Sequence, residues 1–533
     1  MPKIPNKTPP VPLSLSERLK QHRPIDPEHP HFIIRAGAGC GKTTTLVEGL
    51  KYLRGLPVSI EPSEDQAEIW EAIKLSEGAK SIGFAAFNVT IVKELERRLA
   101  GLDCKVQTIH GLGFKLCREG LGLGADAVDA DRLDTIIPSV MKMNLHYLRK
   151  VRPDFYDSLK HIIDLCKLTL IETPSIDVLN ELTSTYDIDV EDIYELADIV
   201  PEVLGRCLDV RHDRKIDQTD MIWLPVVKQL IYPTFDLLKV DELQDLNRCQ
   251  QALVMGVAKR IGGVGDPRQA IYAFAGADSQ SMGRLIDTLS VTKRGLQVYS
   301  LMETRRCSQA VVAEANKIEP KLKAHPDNPR GSVGYMKLDS YLTTIRPGDA
   351  ILCRCNAPLV SECFKLLKMG HPAVILGKDI QNGLISTIKR MNCYLAEGEV
   401  ASARVLARQL TIWGNEEIAK EERKPKPSEA RIIGITDRVS CLLMFCEGSQ
   451  YVSAVLTKIN NVFDQQRAGV LPITLASLHK SKGLEFDRVY FLMPEAAQCP
   501  HPMARTETQL EQEWNLKFVG ITRTITDLYY VTE

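Results

Sequence analysis

One segment constrains this chain more than any other. Residues 36–44, Ala36-Gly37-Ala38-Gly39-Cys40-Gly41-Lys42-Thr43-Thr44, follow the apolar run FIIRA at 32–36 and lead into residues 43–54, whose apolar positions recur with helical periodicity. A strand, a glycine-rich turn and a helix in that order make a phosphate cradle. The glycines let successive backbone N–H groups turn inward, and the helix N-terminus adds its positive dipole. Lys42 can then reach the β- and γ-phosphates of a nucleoside triphosphate, and the Thr43 hydroxyl can hold Mg²⁺. Ala36 stands where the strict pattern begins with glycine. A strand feeding a helix in this way also commits the chain to an α/β architecture built on a parallel sheet.

The rest of the chain repeats that alternation. Ser81 to Phe87 reads as a strand leading into a helix from Thr90 to Leu99, Phe235 to Asp241 as a strand ending in acids, and Ile261 to Asp266 as one ending in Gly-Asp. From about 112 to 210 the spacing is helical throughout. The strand pattern then restarts at Val298 to Leu301, Asp349 to Arg354, Ala373 to Leu376, Ile473 to Ser477, Val489 to Leu492 and Leu528 to Val531. The stretch 380–467 is again helical, and within it the charged, proline-bearing run Glu416 to Arg431 predicts a solvated loop. A chain of 533 residues exceeds one core. The expected architecture is two doubly wound parallel-sheet domains: 1–108 with 211–284, interrupted by a helical insertion at 109–210, and 285–384 with 468–533, interrupted by a shorter one at 385–467.

Composition narrows the function classes. The formal net charge is -1, so any nucleic-acid site must be a local groove and not a global basic field. The 14 cysteines are scattered singly with no CxxC pair, which predicts buried free thiols in a reducing compartment, with no zinc knuckle or disulfide framework. Met1 to Ser16 is proline-rich without an apolar core, reading as a loose arm and not a signal peptide. No run of 18 apolar residues is present to span a membrane. The expected location is the cytoplasm.

Two acidic turns complete the nucleotide chemistry. In Val240-Asp241-Glu242-Leu243-Gln244-Asp245, Asp241 is a candidate Mg²⁺ ligand and Glu242 a candidate general base for an attacking water. In Gly265-Asp266-Pro267-Arg268-Gln269, Gln269 is placed to sense a γ-phosphate or water.

These stretches, with others in the same order, resemble the UvrD/Rep-type superfamily 1 helicases. The others are Ala86-Phe87-Asn88, Thr108-Ile109-His110-Gly111, the run GDPRQAIYAFAGA from Gly265 to Ala277, Thr304-Arg305-Arg306-Cys307, Arg354-Cys355-Asn356-Ala357, the run SLHKSKGLEFD from Ser477 to Asp487, and Val519-Gly520-Ile521-Thr522-Arg523-Thr524. The spelling near Phe87 and Asp266 looks closer to phage-type and F-box-type members than to the housekeeping bacterial enzymes. The resemblance implies two RecA-like domains with ATP, carried with Mg²⁺, between them. It implies that Arg306 and Arg523 reach across to the γ-phosphate, that Glu485 binds the ribose with Gly483 also at the ATP site, and that Arg305 takes the place of an adenine-stacking tyrosine. The adenine-reading glutamine is either Gln21 or Gln66. Single-stranded DNA, or a single/double-strand junction, would contact Phe87, Asn88, His110, Tyr272, Phe274, Ser477 and His479, with bases stacked on the two aromatics.

Two departures bear on output. Ala275 replaces the arginine of the usual Phe-Arg-Gly-Ala, and the second insertion is short, so the resemblance implies translocation, 3′ to 5′, ahead of robust strand separation. No nuclease motif is present, so cutting would need a protein partner such as a nuclease, and a replication factor is another partner class. The rival reading is an ATP-gated nucleic-acid clamp or signalling subunit of a larger complex.

Overall fold

The structure, a computed structural model, describes residues 29–73, 80–86, 89–186, 188, 190, 192–271, 280–391, 402–423, 427, 429–463 and 471–533. The first sheet contains β1 (His31–Ala36), β2 (Ile82–Ala86), β3 (Lys105–Thr108), β4 (Phe235–Val240), β5 (Ala258–Gly265) and β6 (Leu296–Leu301), in the order β3-β2-β4-β5-β1-β6. The second contains β7 (Ser332–Lys337), β8 (Ala350–Cys353), β9 (Ala373–Ile375), β10 (Ile473–Ser477), β11 (Phe486–Leu492) and β12 (Thr524–Thr532), in the order β9-β10-β8-β11-β12-β7. Every pairing in both sheets is parallel. The inner strands are buried almost without interruption and mostly apolar, as strands covered on both faces are. This is the α/β, two-sheet class expected, with helices inserted between β3 and β4 and between β9 and β10.

Three local expectations are corrected. Val298 to Leu301 does not open the second sheet: β6 pairs with β1 from His31↔Leu296 to Ala36↔Leu301, so the first sheet extends past the expected boundary at 284. Which sheet an edge strand joins is set by the crossover that delivers it, not by its own apolar pattern. Second, β3 and β7 have no continuous apolar run and went unflagged. Each is the edge of its sheet and half exposed. Third, Glu416 to Arg431 is not simply a solvated loop. Helix Ala403–Glu422 runs through its first half and a second helix begins at Glu429. Glu421 is buried and takes Arg431 at 3.4 Å, so part of this charge is spent inward.

The first insertion is pinned by buried ions. Lys167, fully buried, lies 2.6 Å from Asp217 and 2.8 Å from Asp220, and Arg132 lies 2.7 Å from Asp220 and 2.9 Å from Asp213. Elsewhere in the fold an apolar cluster runs from Phe32 and Val47 beneath the first sheet to Leu352, Leu478 and Phe491 of the second. The thirteen described cysteines are free thiols, all buried except the half-buried Cys104. Among the described residues no helix is long and apolar enough to cross a membrane.

Candidate active site

Part of the predicted nucleotide set lines one cavity of ≈ 380 Å³: Gly39, Gly41, Lys42, Thr43, Thr44, Glu242, Arg305, Arg306 and Glu485. It lies beyond the carboxyl ends of β1 and β4, where open α/β sheets bind ligands. One wall is the loop after β1. Gly39 and Gly41 hold φ of 71° and 78°, a left-handed conformation that glycine adopts without strain. Gly41 caps helix Lys42–Leu53 without any side-chain hydrogen bond, and no acid sits in the first turn. The first-turn N–H groups therefore have no side-chain cap and no acid of their own helix beside them, which leaves them available to an anion.

Strands β4 and β5 bring carboxylates under that loop. Thr43 Oγ1 donates to Asp241 Oδ2, and Lys42 Nζ lies 3.5 Å from Glu242. Glu242 itself has φ of 53°, a left-handed value uncommon outside glycine and found at sites that over-determine a side chain's direction. Gln244 Nε2 donates to Glu242 Oε2 at 2.6 Å, and Gln244 Oε1 accepts from the Asp266 N–H at 2.9 Å, so one side chain ties the two acidic turns together. Gln269 Nε2 donates to Asp266 Oδ2 at 2.6 Å.

The electrostatics show a shortage of positive charge. Burial, then the charge of Glu242, pushes the Asp241 carboxyl up to about 6. Burial raises Asp266 as well. Burial acts to lower Lys42, but Glu242, Asp266 and Asp241 together outweigh it and hold the ammonium above the ordinary lysine range. Three carboxylates around one lysine could accept a divalent cation that arrives on a phosphate, and Thr43 and Asp241 are the side chains that could hold it. Mg²⁺ characteristically takes only one or two carboxylates and completes its shell with phosphate and water.

The opposite wall comes from the segment after β6 and from the loop between β10 and β11. Arg306 is ion-paired with Glu485, its Nη1 donates to the Thr522 carbonyl at 3.3 Å, and a methyl on Gly39 would meet Arg306 Cβ at 2.6 Å. The Arg305 N–H donates to the Gly39 carbonyl at 3.2 Å while its side chain stays exposed at the cavity mouth. Gly483, expected at the ATP site, gives the loop before Glu485 a φ of 87° but does not line the cavity.

Two expectations change. Arg523 does not stand on the cavity wall: it is 1 % exposed, and its guanidinium donates to the carbonyls of Val519 at 3.0 Å and Leu484 at 3.3 Å. Burial, then the adjacent charge of Arg306, lowers it to about 10. Gln66 is also spent. It completes a capping box with Ser63 and donates to Thr45 Oγ1 at 2.8 Å, so the motif-like spelling of residues 62–66 is a helix start packed on the phosphate loop. Ala36, Ala38 and Cys40 are buried and do not line the cavity, so only their backbone could contribute to a phosphate site.

Of the expected nucleic-acid residues, His110 follows the end of β3, while Ser477 ends β10 and His479 follows it. Burial, then Arg354 and Lys480, lowers His479 to about 3, so it offers a neutral ring at physiological pH. Phe87, Asn88, Tyr272, Phe274, Ala275 and Gln21 lie outside the described residues.

Sequence reasoning assigned no role to Gln244, Asp245 or Lys482. Lys482 Nζ, from the β10–β11 loop, lies 2.8 Å from both Asp245 oxygens and 2.7 Å from the Gln269 carbonyl. The only signal was membership of the stretches already singled out; the pairing itself is a contact between distant segments.

Comparison with known proteins agrees with this geometry. A family profile described as the UvrD/REP helicase N-terminal domain matches residues 18–289, and one described as the UvrD-like helicase C-terminal domain matches residues 416–532. The chain is 24% identical to the ATP-dependent DNA helicase PcrA of Bacillus subtilis, over 93% of this chain and 80% of that protein. It is 23% identical to the F-box DNA helicase protein 1 of Schizosaccharomyces pombe, over 56% of this chain and 35% of that protein. A segment covering 20% of this chain and 17% of the relative is 31% identical to the ATP-dependent DNA helicase Rep of Escherichia coli. The chain belongs to the UvrD/Rep family of superfamily 1 DNA helicases.

Proposed function

We propose that this chain is an ATP-driven motor of the cytoplasm that translocates 3′ to 5′ along single-stranded DNA. The observation that carries the reading is a cavity with the phosphate loop of the first sheet on one wall and, on the other, Arg306 paired with Glu485 from a loop of the second sheet. Lys42 and the first-turn N–H groups hold the β- and γ-phosphates of ATP. Thr43 and Asp241 would hold Mg²⁺, which would supply charge neutralisation at the phosphates. Glu242, directed by its left-handed backbone and by Gln244, accepts the proton of the attacking water, and Gln269 orients that water. Arg306 balances the negative charge that develops on the transferring phosphoryl group. Glu485, which pairs with Arg306 in this structure, would exchange that pairing for the ribose. Arg523, held by the Val519 and Leu484 carbonyls, adds positive charge behind Arg306. Arg305, exposed at the mouth, offers its planar guanidinium to the base.

ATP favours the closed cleft and ADP with phosphate the open one, because only ATP bridges both walls; that differential contact is the source of motion. Successive bases then shift past Tyr272 and Phe274.

The test is displacement of streptavidin from single strands labelled at either end, with ATP and with Lys42→Ala or Glu242→Gln. A 3′-to-5′ motor clears the 5′ end alone, and both variants abolish it. Clearance of neither end with ATPase intact would establish the clamp reading instead. Wild-type DNA-stimulated ATPase in either variant would overturn the site.

A further inference from the structure

We propose that Lys482 is a positioning residue that makes catalysis conditional on closure, by clamping the two acidic turns of the first sheet from a loop of the second. The inference rests on the ATPase reading above and adds a residue that touches neither nucleotide nor metal.

Three observations carry it. First, the Lys482 ammonium makes three hydrogen bonds, the full donor count of a lysine, to two turns at once: the Asp245 carboxylate after β4 and the Gln269 carbonyl after β5. The pair is deeply buried, with side chains 8% and 5% exposed, so it is far from an ordinary surface ion pair. Second, the turns it joins carry the reacting groups. Asp245 Oδ2 accepts from Gln244 Nε2 at 3.4 Å, and the same Gln244 holds Glu242 and the Asp266 N–H. The chain Lys482–Asp245–Gln244–Glu242 thus runs from the second sheet to the candidate base without passing through the cavity. Third, Lys482 shares its loop with Glu485, which pairs with Arg306 on the cavity wall. Ser481 is fully buried and bonds back to the Leu478 carbonyl at 2.8 Å, and the Leu484 N–H returns to Ser481, so the loop is a stiff unit. A movement that withdraws Arg306 and Glu485 from the phosphate loop therefore also withdraws Lys482 from the acidic turns. Base and arginine are assembled by one displacement.

The consequence is a specific kinetic split. Lys482 lines no part of the nucleotide cavity, so its loss should spare ATP binding and depress turnover. In the full-length chain, Lys482→Met is expected to lower DNA-stimulated kcat by about tenfold to a hundredfold while KM for ATP moves by no more than about threefold. Lys482→Arg, which keeps charge and donors, should recover most of the loss. Lys482→Met leaves Asp245 buried and unpaired, which by itself threatens the fold. The double variant Asp245→Asn with Lys482→Met removes that charge. It is expected to melt near wild type and still show the low kcat, with the two changes non-additive because they break one strut. Glu242→Gln is measured alongside. If Glu242→Gln is inactive and the double variant keeps wild-type kcat, the Lys482 inference alone is overturned. If Glu242→Gln is active, the base assignment beneath it has failed. A rise in KM with unchanged kcat would also overturn it, by making Lys482 a binding residue.

Discussion

The two walls of the cavity are built by opposite means. The phosphate-loop wall is held from within one sheet: left-handed Gly39 and Gly41, an uncapped helix start, and carboxylates delivered by the adjacent β4 and β5. Its charges answer one another, Lys42 to Glu242 and Thr43 to Asp241. The arginine wall has no such self-sufficiency. Arg306 leans on Glu485 and on the Thr522 carbonyl, and its Nε is buried without a hydrogen-bond partner. A group left short of partners in the resting arrangement has most to gain from an incoming anion. On the proposed reading the first wall would bind phosphate by itself, while the second would contribute when brought against it, so that binding would belong to the one and turnover to the pair.

The strongest way to break that contrast is Arg306→Ala. It should cost about 10³–10⁵ in kcat, the usual contribution of a phosphoryl-directed arginine, while leaving the affinity for a non-hydrolysable ATP analogue nearly unchanged. Equal losses in both, by single-turnover kinetics and equilibrium titration, would show that the second wall also binds.

A smaller effect is expected where the walls touch. Gly39→Ala places a methyl 2.5 Å from Thr304 Oγ1 and 2.6 Å from Arg306 Cβ, at a φ of 71°. Backbone strain of about 1–3 kcal/mol should appear as a lowered melting temperature, and closure should be blocked more than phosphate binding. Retention of full kcat would mean that the walls do not need to meet there.

The smallest effect lies behind the first wall. Lys239 on β4 is buried and donates to the Leu46 carbonyl at 2.7 Å, bracing the helix that follows the phosphate loop. Burial, then the charge of Arg260, lowers its pKa from 10.5 to about 7. Between those values the unfolded chain binds a proton that the folded chain has given up, so stability rises with pH across that window. Lys239→Met should flatten this dependence and stabilise the protein at neutral pH by about 1 kcal/mol, as replacing a buried ionisable group with an apolar one often does. Chemical denaturation at neutral and at mildly alkaline pH measures both. An unchanged slope would mean that Lys239 keeps its proton in the fold.

The same contrast explains what could be read from residues alone. The α/β class was legible because β1, β2, β4 and β5 each carry a buried, mostly apolar stretch, and the candidate phosphate loop because glycines, Lys42 and Thr43 act over one turn of backbone. The edge strands β3 and β7 were not legible, since a half-exposed strand keeps no apolar run. β6 showed as a strand but not as a partner of β1, because sheet membership is a long-range choice. Glu416 to Glu422 looked solvated by charge count, yet Glu421 turns inward to Arg431.

The site divides along the same line. The sequence by itself determined the strand–loop–helix at Ala36 to Thr44 and the acids ending β4, because dihedral preference, helix dipole and neighbouring charge operate between residues close in the chain. Only the tertiary structure decided that Arg306 faces Gly39, that Arg523 spends itself on the Val519 and Leu484 carbonyls, that Gln66 caps a helix, and that Lys482 docks on Asp245. Each of those side chains had several polar groups to choose from. Which one it took depended on which became buried beside it when the two sheets met, and burial makes an unmet polar group costly enough to settle the choice.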